Sequence, residues 1–512
     1  MIPPTGLPPE LREFLALPGP QTLVLRGPPG TGKTTLGLEL LEEFPGEKVL
    51  ITGRVPRERL LRDNPMLAPG GPPGIELVDT TESSGPVQTA SLLERVPELL
   101  SSEGSEARLL TEFLWLPDAV QKAWARLRPG AHSIVVVDSW TALLEPYLQS
   151  ELAHRPGAPT SIEVQRELLR RMRGVDAHLI LIVEQPEPSE VEYLVDGVVT
   201  TSRQLFDNRL ERWLAIPKLR GIRIGNATYP FTLDGARFHC LPQLPSEVPA
   251  ERYGYEPDPE PVPYSVWPGS MGFASAFGRL RTGEVTLIEY DSEVPLYIPQ
   301  VLSIPIIAAT LRRGGRLLVA PPPLLPPEEV WAQIHEFLPT EEFEERIRIL
   351  SAHVDESTEE KGDEGDDLAL YTTLLPIPRI SDSSRAAGGR SPEAIRFLRT
   401  QMSEGVPNLA VMYIEGMRTI ARLQGMPFTP ETFPAITTQY VYHAPAHLLY
   451  LARIGDPLAE AIHGYVSLHL RIRDREGRAL IYGVRPRTGT YACEPNPPQV
   501  DSGAPYTLRP VV

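Results

Sequence analysis

Cysteine is nearly missing from this chain. Two in 512 residues, Cys240 and Cys493, cannot form a disulfide framework or a four-thiolate zinc site. They read as structural thiols of a reducing compartment. Long apolar runs are missing too: the longest, near residues 301–311 and 179–183, are sized for a strand or short helix, well below the ~18 residues a membrane-spanning helix needs. No charged-then-apolar leader opens the sequence, so the expectation is a cytoplasmic protein with no membrane partner. Positive charge is the minority sign. A net charge of −17 and a pI near 5.2 argue against a surface that clings to nucleic acid or anionic lipid. No basic stripe interleaved with aromatics is present, so single-strand nucleic-acid binding is not the favoured partner class.

Hydrophobic residues are plentiful at 41%, enough for real cores, and the length exceeds what one core usually serves. Proline is abundant at 57 residues. It gathers in connections at residues 65–73, 242–263 and 321–327, which suits either loop rigidity or a genomic bias. The expected domains are therefore 1–240, a proline-rich linker 241–263, and 264–512.

The most informative stretch is residues 21–41, QTLVLRGPPGTGKTTLGLELL. Thr22 to Leu25 form a buried-strand pattern, and Leu36, Leu38, Leu40 and Leu41 follow at helical spacing. Between them GPPGTGKT, residues 27–34, matches G-x-x-x-x-G-K-[ST] in the strand–loop–helix context that the motif requires. Glycine lets backbone amides approach phosphate oxygens without a Cβ in the way. Those amides and the helix start then make an anion site. The expected nucleotide cradle is Gly27, Pro28, Pro29, Gly30, Thr31, Gly32, Lys33, Thr34 and Thr35. In it Lys33 reaches the β and γ phosphates of ATP and the Thr34 hydroxyl ligates Mg²⁺.

Further strands are expected at residues 48–52 and 75–79. The run AHSIVVVDSW, residues 131–140, places Asp138 at the tip of an apolar strand, where a carboxylate can hold the Mg²⁺ shell opposite Thr34. HLILIVEQ, residues 178–185, ends in Glu184 and Gln185; ligands of open α/β sheets sit beyond such strand ends, so these two are candidates to sense the γ-phosphate. Alternation in residues 209–216 and 229–238 reads as antiparallel hairpin strands.

The order of P-loop, acidic strand, polar-ended strand, VDGVV, and a strand leading to PKLRG and YPF resembles the RecA/KaiC-like ATPases. That resemblance implies an α/β fold: tandem RecA-like P-loop NTPase domains with mainly parallel sheets and helices on both faces, the second copy degenerate. It also implies that Lys218 and Arg220, the K-x-R pair, project toward a neighbour's nucleotide, which makes self-association a partner expectation. One departure stands out. KaiC-like enzymes carry a glutamate pair after the second strand that activates water, whereas here ITGRV places Arg54 there and no carboxylate comes before Glu58. The segment ITGRVPRERLLRDNPML instead resembles the archaeal gas-vesicle regulatory GvpD family. That implies a regulatory, slow ATPase that switches contacts with a protein partner. The alternatives are a recombinase-like ATPase on single-stranded DNA and a scaffold that uses ATP as a structural ligand.

The second half reads as a diverged copy. GEVTLIEYDSEVPLY, residues 283–297, has the strand of a P-loop unit, but its loop lacks the glycines and the lysine, and Glu289, Asp291 and Glu293 would repel phosphate. A helix at 298–312, interrupted by Pro305, a strand at 316–320, an acidic strand at 409–416 with Glu415 near the Asp138 position, and Arg485 and Arg487 at the K-x-R places complete the parallel. Residues 355–367, DESTEEKGDEGDD, form an acidic run expected to be a solvated loop.

Overall fold

The computed structural model describes residues 6–64, 67, 74–81, 120, 127, 132–149, 154, 160–173, 177–245, 255–326, 329–332, 334, 343–350, 398, 406–423, 428–443, 446–496 and 503–512. The acidic run 355–367 lies outside the described residues. The chain divides into two compact units, Met1–Leu241 with Val511–Val512, and Pro242–Pro510.

In the first unit the strands are β1 (Thr22–Arg26), β2 (Glu47–Thr52), β3 (Ile75–Asp79), β4 (Ser133–Asp138), β5 (Ala177–Val183), β6 (Gly197–Phe206), β7 (Arg209–Leu219), β8 (Thr228–Thr232) and β9 (His239–Cys240). They form one sheet in the order β3-β2-β4-β5-β1-β6-β7-β8-β9. From β3 through β6 the pairing is parallel, and β7 to β9 add antiparallel strands. β4 and β5 are buried along their whole length, as strands covered on both faces must be. Alternate side chains of β4 serve two cores. Ile134 and Val136 pack with the helices α1 (Pro9–Leu15) and α2 (Lys33–Glu43). Val135 and Val137 pack on the other face with α4 (Trp140–Leu148) and α5 (Ser161–Arg173), while α3 (Arg57–Asp63) follows β2. Each fully buried Val, Leu or Ile contributes roughly 1.5–3 kcal/mol. β6 and β7 are joined by Asp207 and Asn208, both at positive φ (48° and 55°), the two-residue turn whose twist matches paired strands.

The second unit opens with a ribbon of β10 (Ser265–Val266) and β11 (Leu280–Arg281) around α6 (Met271–Phe277). Within the expected linker, residues 255–263 are tied into this unit: Arg279 pairs with Asp258 at 2.8 Å and the Trp267 indole donates to the Glu256 carbonyl at 2.6 Å. The main sheet follows: β12 (Val285–Tyr290), β13 (Leu317–Ala320), β14 (Ile347–Ile349), β15 (Asn408–Tyr413), β16 (Ala446–Arg453), β17 (Leu468–Asp474), β18 (Ala479–Arg485), β19 (Thr490–Pro495) and β20 (Tyr506–Val511). Its order is β14-β13-β15-β16-β12-β17-β18-β19-β20. Strand for strand this repeats the first sheet, so the fold is tandem α/β. Helix α7 (Tyr297–Arg312), which takes Pro305 into its interior, covers one face, and α8 (Ile414–Leu423), α9 (Phe433–His443) and α10 (Pro457–Ile462) cover the other. Among the described residues no helix is long and apolar enough to cross a membrane.

Matching hydrogen bonds align the copies residue by residue. Leu179 N–H donates to the Gln21 carbonyl as Leu448 N–H does to Glu284, and Asp196 N–H donates to Thr22 as Ser467 N–H does to Val285. With the strand registers, these place Glu289 at the Arg26 position, Tyr290 at Gly27 and Tyr413 at Asp138. Glu415 therefore does not occupy the acidic-strand position. It lies two residues further on, in the first turn of α8, where it pairs with Arg453 at 3.0 Å.

Candidate functional site

The loop between β1 and α2 is held by positions only glycine can fill. A Cβ on Gly27, at φ +156°, would stand 2.2 Å from the Thr201 carbonyl oxygen of β6. Gly32, at φ +87°, precedes α2 in the left-handed region, and a Cβ there would meet Leu233 at 2.9 Å. The Thr31 hydroxyl donates to the Pro28 carbonyl at 2.8 Å and lies 2.7 Å from the Thr201 hydroxyl. The loop is thus braced against β6, with Pro29 and Gly30 exposed at its rim. The first backbone bond of α2 runs from Leu36 N–H to the Gly32 carbonyl. The amides of Lys33, Thr34 and Thr35 precede it, at the end of a helix where donors lack intrahelical acceptors and anions are favoured.

Lys33 is 5% exposed, and its ammonium donates to the Gly27 and Pro28 carbonyls at 2.7 and 2.8 Å. Burial brings its pKa down to about 8; Asp138 opposes that shift and the Arg54 charge adds to it. At the tip of β4, Asp138 is 7% exposed and accepts from the Thr34 hydroxyl at 2.7 Å. Burial raises the Asp138 pKa, against the Thr34 hydrogen bond and the positive charges of Lys33 and Arg54. A buried carboxylate and a hydroxyl facing each other beside a lysine form a hard-oxygen donor pair that fits Mg²⁺.

Arg54, just past β2, forms an ion pair with Glu184, just past β5. Since β4 lies between those strands, the pair bridges over the Asp138 tip. Gln185 is exposed beside it. Two further cations reach the loop from the β6–β7 hairpin. Arg212 donates to the Gly30 carbonyl at 2.8 Å and to the Val512 carbonyl at 2.7 Å. Arg203 faces Arg212 in register and approaches Gly30. Burial and then the Arg203 charge lower the Arg212 pKa. Arg203, Arg212 and Thr201 were not expected at the site. Their spacing about the Asp207–Asn208 turn is the signal that pairs residue 203 with 212.

Lys218 and Arg220 are elsewhere. Lys218 is paired with Val198, back along β6 from Thr201. Its ammonium donates to the Glu192 and Val195 carbonyls at 2.9 and 2.6 Å. Arg220 is exposed and lies 3.4 Å from Asp196. Neither is brought to the loop of its own unit. In the second unit Arg485 stands opposite His469, the place that Lys218 holds opposite Val198, and it donates to the His463 carbonyl at 3.1 Å.

The second unit has no cradle at the corresponding place. Tyr290 and Tyr413, 1% and 5% exposed, occupy the positions of Gly27 and Asp138. Burial first, and then the neighbouring Tyr290, pushes the Tyr413 phenol pKa up. Asp291 pairs with Arg473 at 2.9 Å. Glu289 is fully buried: burial alone would raise its pKa, but hydrogen bonds from His469 and Arg471 hold it at about 2.

Residues 119–217 match the family model described as GvpD gas vesicle protein, P-loop domain. That span holds Asp138, Glu184, Gln185, Arg203 and Arg212. Over 241 residues the chain is 32% identical to Protein GvpD2 of Halobacterium salinarum, covering 46% of this chain and 44% of that protein. Over 245 residues it is 29% identical to Protein GvpD1 of the same organism, covering 46% and 40%. The chain thus spans less than half the length of these relatives. The chain is similar to GvpD proteins over 46% of its own length.

Proposed function

We propose that the first unit binds Mg·ATP and that the protein is a regulatory nucleotide switch of the GvpD type, acting through a protein partner or self-association. The observation that carries the reading is the braced loop of residues 27–34 with Lys33 buried beneath it and Thr34 facing Asp138 at 2.7 Å. Lys33 would exchange its two carbonyl contacts for phosphate oxygens, and the α2 amides would bind the same oxygens. Thr34 and Asp138 would hold Mg²⁺, which supplies charge neutralisation on the phosphates when bound. Glu184 and Gln185, with Arg54, would register the third phosphate. Hydrolysis is slow on this reading, because the place expected for a water-activating carboxylate carries Arg54, and the Glu184 carboxylate that reaches it is committed to an ion pair with it. The second unit does not bind nucleotide on this reading: buried tyrosines stand at the positions of Gly27 and Asp138, and its loop lacks the glycines and the lysine. The gas-vesicle name of the relatives makes regulation of that system the partner class to examine first.

The test is an ATP titration with phosphate release measured with and without Mg²⁺. Lys33→Ala should abolish binding and leave the far-ultraviolet circular dichroism unchanged. A Lys33→Ala protein that binds ATP as the parent does would overturn the assignment.

A further inference from the structure

The second unit holds a cluster that its first-unit counterpart does not need. In the first unit the end of β1 is closed by one ion pair, Arg26 Nε to Glu192 Oε1 at 2.8 Å, with apolar Val198 alongside on β6. The aligned positions in the second unit are Glu289, His463 and His469. Glu192 lies four residues before Asp196 as His463 lies four before Ser467. In both copies the carbonyl of that residue accepts from the strand cation, Lys218 in one and Arg485 in the other. A carboxylate stands where the first unit has Arg26, an imidazole where it has Glu192, and a second imidazole where it has Val198. A structural ion pair would need neither change.

The geometry converges. His469 Nε2 lies 2.6 Å from Glu289 Oε2, and His463 Nε2 lies 3.3 Å from Oε1. The two imidazole centroids are 4.6 Å apart at 35°. One ligand-capable atom from each of the three residues lies within 4.8 Å of the others. Arg471 Nε donates to Oε2 at 2.9 Å, which orients the carboxylate and leaves Oε1 to a ligand.

We propose that Glu289, His463 and His469 form a binding site for a borderline divalent cation of the Zn²⁺ class. Two imidazole nitrogens and one carboxylate oxygen suit such an ion, and a site of three protein ligands keeps a fourth position open. Coordination needs both Nε2 lone pairs, so the bound state has any ring proton on Nδ1 and none on Nε2. Arg471 serves as the outer partner that ligating carboxylates require. Its charge, added to that of the ion, favours water as hydroxide or another small anion in the fourth position. His463 is about one-third exposed and marks the open side.

The experiment uses the full, untagged chain, stripped with a chelator, with excess Mg²⁺ present to saturate hard-oxygen sites. Zn²⁺ is titrated against a chromophoric competitor, and Co²⁺ is titrated in parallel for its visible ligand-field bands. The parent should take up one equivalent of Zn²⁺ and give the strong bands of a four-coordinate cobalt site. His463→Ala, at a position about one-third exposed, should keep the parent's far-ultraviolet circular dichroism, bind at least about tenfold more weakly and lose the cobalt bands. His154→Ala, an exposed histidine elsewhere, should change neither. If the parent takes up no Zn²⁺, or His463→Ala binds as tightly as the parent, the proposal fails and the cluster is a hydrogen-bonded lock only.

Discussion

If Lys33 is the phosphate-binding cation, ATP binding must change its proton affinity. In the free protein burial holds its pKa at about 8, down from 10.5. That shift corresponds to about 3 kcal/mol of differential interaction against the charged form. Triphosphate oxygens favour the ammonium and should return the pKa to the ordinary lysine range or above. At pH 7 free Lys33 is already mostly protonated, so binding takes up only roughly 0.1 proton. At pH 9 only about one molecule in eleven carries the proton, so binding takes up roughly 0.9. The sign follows directly: a complex that holds more protons than its components weakens as pH rises. The dissociation constant should therefore be about tenfold larger at pH 9 than at pH 7, a change of about 1.4 kcal/mol. Asp138 and Arg54 are the charged groups facing Lys33. Asp138, with its raised pKa, contributes at the acidic end of the range, and Arg54 does not titrate. Calorimetry at each pH in two buffers of different ionisation enthalpy counts the protons. Uptake near zero at pH 9, with ATP still bound, would mean that Lys33 is not the group meeting the phosphates.

The tyrosine plug predicts that residues 242–512 alone show no ATP binding in the same titration, and that full-length Lys33→Ala retains none. Micromolar affinity in the fragment would show that Tyr290 and Tyr413 leave room for nucleotide; affinity kept by Lys33→Ala with none in the fragment would overturn the first-unit assignment instead. The K-x-R pairs make a separate prediction. Lys218→Ala/Arg220→Ala should weaken ATP binding in a manner that grows with protein concentration, at a cost of about 2–5 kcal/mol if the cations reach a neighbour's nucleotide in a desolvated contact. Sedimentation and affinity are measured together, with Arg485→Ala/Arg487→Ala alongside. If neither pair moves either quantity, these cations serve only the local carbonyls and carboxylates they touch.

Much of this was legible in the sequence because the signals are local. The P-loop, its flanking strand and helix, and the Asp138 tip each lie within one short segment, where pattern and chemistry agree. Features that depend on register were not legible. Arg203 and Arg212 meet only because a two-residue turn pairs β6 with β7. Glu415 looked like the partner of Asp138 because both are acidic near a strand end, yet the ladder with β16 puts Tyr413 there. Glu289 looked like a charge that repels phosphate from an open loop. Its buried side chain is instead committed to residues 174–182 positions away, a convergence that no window of sequence contains.

The tyrosines in the second unit have a consequence for how the chain responds to heat and ligand. The second unit buries two aromatic rings at the positions of Gly27 and Asp138, and they stay there whatever the ligand. The sister fold has Gly27 and Asp138 at those positions, beside a lysine whose charge burial disfavours. If the first unit binds ATP as proposed, nucleotide stabilises that unit and not the second, by about 2.7 kcal/mol at a hundredfold excess over the dissociation constant. One polypeptide would thus hold a sensing half and an indifferent half built on a single strand plan.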